Sequence, residues 1–250
     1  MTQDGSNDQL HVGSSIRQLL ITGGWAHEFE RTTPHLVQCA AAAGIRTDTT
    51  DDLEAAAATL AAHEYDLLTV YACWFTMGHE RYDAVRDQWS RRTPTALREA
   101  IVSHLEAGRG LVALHTAPIC FDDWPVWGEI LGGRWNWDRS WHPAPGVVEV
   151  DPRSPAAGER HPIVDGLEPF QVVDERYSAL DVSSRSEVLA WSDAEREPAL
   201  WTHRYGRARV VVDTLGHDER SLDQPDHATI LRRSAVWAAG SSDHAVRATR

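Results

Sequence analysis

Residues 110–117 read GLVALHTA, five residues without a polar side chain followed by His115. A run with no polar alternation belongs to a strand buried on both faces, the habit of parallel sheets covered by helices on each side. Working outward, Thr93-Pro94 opens a helix, Leu97, Ile101 and Leu105 recur at the helical interval, and Gly108 ends it. Further back, YDLLTVY (65–71) is a second apolar strand. It follows an alanine-rich helix that Asp51 and Glu54 cap and that ends near His63. Thr33 as N-cap, Pro34 at the first helical position and Gly44 at the close mark another helix, and QLLITGG (18–24) is a strand running into a glycine turn. Downstream, RVVVDT (209–214) reads as a strand and residues 225–239 as a helix. The alternation predicts one α/β domain over 16–240, a parallel sheet with helices on both faces. Residues 145–192, richer in proline and β-formers, predict an irregular or antiparallel excursion. Residues 1–15 and 241–250 read as tails.

The 250 residues carry 24 basic against 37 acidic side chains, a formal net charge of −13. Such a chain repels phosphate backbones and anionic lipid, so neither nucleic acid nor a membrane surface is an expected partner. Every basic side chain is arginine; without lysine there is no Schiff-base or P-loop chemistry. Three cysteines with no CxxC spacing make neither a disulfide scaffold nor a zinc knuckle. The polar start, MTQDGSNDQLHVGSS, lacks the apolar stretch of a secretory leader, and no run approaches the ~20 apolar residues of a membrane span. A cytoplasmic location is the expectation.

In open α/β sheets, ligands bind beyond the carboxyl ends of the strands. The polar residues that follow the apolar runs are Trp25 and His27, then His115, then His217 with Asp218 and Glu219. His142 and the pair Asp174-Glu175 lie in the irregular segment and can fold over the same edge. Imidazoles beside a carboxylate suit a divalent metal or acid/base work near neutral pH. The remaining nine histidines read as surface residues, save His35 in a helix's first turn. Five tryptophans fall between positions 124 and 141, among them Trp124 and Trp141. Flat aromatic faces of this kind either fill a core or stack on sugar rings. Gly23-Gly24 lacks the spacing of a dinucleotide loop.

The stretches TGGWAHEFE (22–30), GLVALHTA (110–117), DWPVWGEILGGR (123–134), HPIVDGL (161–167), DERY (174–177) and LGHDE (215–219) follow one another in order. Together they resemble the trehalose-utilisation (ThuA-like) family, over roughly residues 17–240. The resemblance implies the flavodoxin-like fold of class I glutamine amidotransferases. In those enzymes a cysteine occupies the turn after the central strand and a His-x-Glu motif follows a later one. Here His115 stands at the cysteine position and His217-Asp218-Glu219 echoes the later motif, so glutaminase activity is not expected. The resemblance further implies sugar catabolism, involving disaccharides or their keto derivatives, and a metal in some members.

Two functions emerge. The first is a metal-assisted enzyme on a sugar or keto sugar, working by proton abstraction (isomerisation or elimination) or by hydrolysis. Zn, Mn or Ni would be bound by some of His27, His115, His142, Glu175 and His217, with an uncoordinated Glu175 or Asp218 moving the proton alongside His115 and His217. Trp25, Trp124, Trp141, His27 and His142 would contact the carbohydrate. The second is a non-catalytic sugar-binding or regulatory protein on the same fold. A homo-oligomer is open in either case.

Overall fold

A computed structural model describes residues 15–152, 160–193 and 196–250. The N-terminal tail expected at 1–15 lies, but for Ser15, outside the described residues. Five strands form the parallel half of one sheet: β1 (Arg17–Gly24), β2 (Arg46–Thr50), β3 (Leu67–Cys73), β4 (Gly110–Leu114) and, from late in the chain, a strand at Ala208–Asp213. The central strands are fully apolar in burial, as the sequence requires. Two helices between them, α1 (Phe29–Ala42) and α2 (Leu53–Ala62), lie on opposite faces. They are followed by α3 (Asp83–Trp89), α4 (Thr95–Glu106) and α5 (Val126–Leu131).

The expected excursion is antiparallel and joins the same sheet. A short β5 (Gly133–Arg134) precedes β6 (Gly146–Asp151), β7 (Phe170–Asp174), β8 (Asp181–Val182), β9 (Glu187–Ser192) and β10 (Glu197–Tyr205), and the late parallel strand is β11 (Ala208–Asp213). The nine-stranded order is β2-β1-β3-β4-β11-β10-β9-β6-β7, with β5 and β8 paired separately. The sheet is thus five parallel strands extended by four antiparallel ones, the excursion running on past residue 192 to include β10. Strand β6 pairs with β9 at Val150–Ser192 and Asp151–Trp191, and Asp193 just beyond β9 exchanges hydrogen bonds with the Glu149 backbone. The far strand of the β6–β7 hairpin ends against the turn after β11, where Asp174 accepts a hydrogen bond from Gly216 N–H at 2.7 Å.

After β11 come α6 (Glu219–Leu222), α7 (Pro225–Ala238) and α8 (Asp243–Ala248). The last lies in the stretch read as a C-terminal tail and buries Val246. Arg233 ties it down by donating to the carbonyls of Thr249 and Asp165. Helix α1 starts five residues before Pro34, not at it, and Asp52 rather than Asp51 caps α2, accepting from Ala55 N–H at 2.7 Å. Pro34 sits on the exposed side of α1, where it cannot donate the helical hydrogen bond to Glu30 O.

Candidate metal centre

Three of the predicted histidines leave the sheet at strand ends. His27 follows β1, His115 follows β4, and His217 follows β11 after Gly216, whose φ of +118° glycine alone adopts readily. Gly24, with φ +116°, is equally constrained, because a Cβ there would collide with the backbone of Cys73. His115 itself has φ +51°, an unusual left-handed conformation for a non-glycine residue. Its N–H donates to Asp213 O at 2.7 Å, which fixes the strained turn. Glu175 arrives from the end of β7.

One ligand atom from each of His27, His115, Glu175 and His217 lies within 4.8 Å of the others. The two most buried imidazoles are already committed at one nitrogen. His115 Nδ1 lies 3.0 Å from Thr214 O, and His27 Nδ1 lies 3.3 Å from Trp25 O. Carbonyls only accept, so both Nδ1 atoms carry the proton. Burial, reinforced by the neighbouring imidazoles, pushes His27 down to about 3. Burial likewise pushes His115 down to about 4, against the pull of Glu175. Both rings are neutral at pH 7, and their Nε2 atoms are bare lone pairs facing each other at 3.0 Å. Two lone pairs at that distance repel unless a cation lies between them.

Glu175 Oε2 is 3.6 Å from His115 Nε2, 4.0 Å from His27 Nε2 and 3.5 Å from His217 Nδ1. Neither Glu175 Oε2 nor His217 Nδ1, both buried, has a hydrogen-bond partner among the described residues. Burial favours a neutral Glu175, but His217, His115 and His142 outweigh it and hold the carboxyl below its ordinary range. In return Glu175 lifts His217 above the usual histidine value despite burial. Orphaned donor atoms, neutral imidazoles and backbone partners that orient their rings fit a divalent metal. His142, from the loop before β6, places Nδ1 3.4 Å from the same Oε2 and is more exposed than the other three.

The structure separates two predicted residues from this group. Asp218 caps α6, accepts from Arg220 N–H at 2.9 Å and forms an ion pair with the Arg220 guanidinium, so its carboxylate is spent. Trp124 is buried, stacked on Trp127 with centroids 6.0 Å apart, and serves the core. Trp25 packs edge-on to Tyr82 and Phe75 beside the cluster. Trp141 is 52% exposed under Arg176, and Trp137 on the same loop is 43% exposed. Trp137 belongs to the tryptophan run singled out in the sequence, whereas sequence reading missed Tyr177, whose ring lies 5.1 Å from His115 and 5.4 Å from His142. Asp174, read with Glu175 as a pair that can fold over this sheet edge, does reach it, and there it accepts the backbone N–H groups of Glu175, Gly216 and His217. Three histidines expected at the surface, His104, His203 and His227, are buried.

A family model described as ThuA, trehalose utilisation, matches residues 17–238. Among solved structures the chain is similar to a ThuA-like protein of Parabacteroides merdae, at 20% identity and a TM-score of 0.70, covering 91% of each chain. A ThuA-like protein of Bacteroides uniformis gives 18% identity and a TM-score of 0.63 over 96% of this chain and 97% of that one. A cytoplasmic protein of Salmonella typhimurium LT2 gives 17% and 0.56 over 88% and 98%. At these identities the likeness concerns the fold. No curated protein matches. No helix among the described residues is long and apolar enough to cross a membrane.

Proposed function

The chain belongs to the ThuA family, described by trehalose utilisation, and from that premise we propose a metal-dependent enzyme acting on a sugar or keto sugar. The observation that carries this reading is the pair of bare Nε2 atoms 3.0 Å apart beside the unpartnered Glu175 Oε2. When bound by His27, His115, His217 and Glu175, a Zn, Mn or Ni ion would polarise a substrate carbonyl or hydroxyl. His142 is the group assigned to the proton. Its Nδ1 lies 3.0 Å from Pro143 O and donates to it, so a substrate proton would be taken at Nε2. For a keto sugar, His142 would take the proton from the carbon beside the carbonyl. Returning it to a neighbouring carbon gives isomerisation; loss of a leaving group gives elimination. Hydrolysis by activated water is the sibling reaction. The exposed faces of Trp137 and Trp141 are available to stack on the sugar.

Glutaminase chemistry has no support, since His115 occupies the turn where a thiol would stand. Burial pushes the Cys120 thiol up to about 12, far from a nucleophile. Metal analysis of the purified protein, followed by a panel of sugars and oxidised sugars, tests the reading. About one equivalent of metal is expected, with His115→Ala weakening uptake by about a hundredfold or more and leaving the chain folded. A protein that takes up none of Zn, Mn or Ni, yet quenches its tryptophan fluorescence with sugar, would instead be a binding module.

A further inference from the structure

His227 opens α7, fully buried, and belongs to none of the motifs assigned to the site. Both of its ring nitrogens meet acceptors. Nδ1 lies 2.8 Å from Ser221 O and 3.0 Å from Ser221 Oγ, and Nε2 lies 3.1 Å from Asp213 Oδ2. A carbonyl oxygen cannot donate, so Nδ1 is protonated. The other oxygen of Asp213 accepts Leu215 N–H at 3.0 Å, which leaves Oδ2 to the remaining imidazole nitrogen. Burial alone would favour the neutral ring, but Asp213 and Asp174 outweigh it and raise His227.

Asp213, His227 and Ser221 have the makeup of a hydrolase triad, yet Ser221 has no exposed surface and no substrate can reach its hydroxyl. What the trio reaches is the metal-binding backbone. Asp213 O accepts the N–H of His115 at 2.7 Å. The Ser221 hydroxyl interacts with Asp174. Asp174 in turn accepts the N–H groups of Glu175 at 2.7 Å, Gly216 at 2.7 Å and His217 at 3.3 Å. Three of the four proposed ligands thus hang on one buried polar network with His227 at its root.

We propose that His227 is a positioning residue for the metal centre: a buried imidazolium that clamps Asp213 and, with Ser221 and Asp174, fixes the backbone carrying His115, Glu175 and His217. The proposal rests on the metal reading above, and its test separates the two. In the metal-free, nitrogen-15-labelled protein at pH 7.5, His227 should show two ring N–H signals; a single one overturns the proposal. In zinc titrations, His227→Gln should weaken affinity about tenfold to a hundredfold, the range for groups that orient metal ligands. Ser221→Ala should weaken it in the same direction, and serves if His227→Gln does not fold. His104→Gln, a buried histidine bonded to Gly110 O elsewhere in the fold, should leave zinc affinity unchanged. Equal zinc affinity in wild type and His227→Gln overturns the proposal. If the wild type itself binds no zinc, the metal reading fails alone. The ring-nitrogen resonances of His115 and His217 then decide, moving in His227→Gln if His227 positions them and staying put if it does not.

Discussion

At Cys120, Sγ donates to Ala72 O, and with Thr116 Oγ1 on the same carbonyl it helps seat the turn after β4. The thiol is a small buried hydrogen-bond donor. Cys120→Ser should therefore keep full turnover and metal content, with stability changed by about 1 kcal/mol at most. Loss of turnover at an unchanged melting temperature would return the thiol to the chemistry. His27, His115, His217 and Glu175 are legible in the sequence, the histidines because each closely follows an apolar strand and Glu175 because it sits in an acidic pair. His227 is not legible that way. Its burial depends on which face of α7 meets the sheet, although the helical spacing of His227, Leu231 and Ser234 marks one face as buried. Trp124 was misplaced because a tryptophan-rich stretch says nothing about which rings point inward.

Helix α1 shows how an element can be right and its boundary wrong. A Thr-Pro pair is a good opening signal, yet Phe29 and Thr32 are buried and extend the helix back toward β1. An exposed proline within a helix removes one hydrogen bond, here to Glu30 O, without disturbing the core. Pro34→Ala should restore that bond and stabilise the protein by about 1–2 kcal/mol, after allowing for the stiffer unfolded chain that proline gave. Urea unfolding would measure it, and a destabilised variant would mean the ring packs usefully. The antiparallel strands were harder to read. Burial in β6 and β7 alternates, but the strands lie far from their partners in sequence, and only the folded sheet sets their order.

On the scale of the whole molecule, His27, His104 and His115 are kept neutral mainly by burial, at about 3, 4 and 4. In the unfolded chain each takes a proton near pH 6.5, while the folded protein takes it only near pH 3–4. The stability these three contribute is therefore complete above about pH 6.5 and is lost as pH falls from there toward 4. Urea midpoints should fall between pH 7.5 and 5. His104→Gln should reduce that loss by about 2 kcal/mol, since one pKa unit is worth about 1.4 kcal/mol. Identical pH slopes in both proteins would remove His104 from the account.

The position of β11 has a consequence for how the chain comes off the ribosome. It lies between β4 and β10, joining the parallel and antiparallel halves, yet it is the last strand synthesised. Until residues 208–213 emerge, β4 and β10 each present an unpaired edge, and the halves have no shared strand. Nascent chains in that state invite edge-to-edge association and chaperone capture. A chain stopped after Gly206 should accumulate in the insoluble fraction, and one extended through α7 should not. Equal solubility of the two would show that the halves mature separately, with β11 arriving as a late insertion.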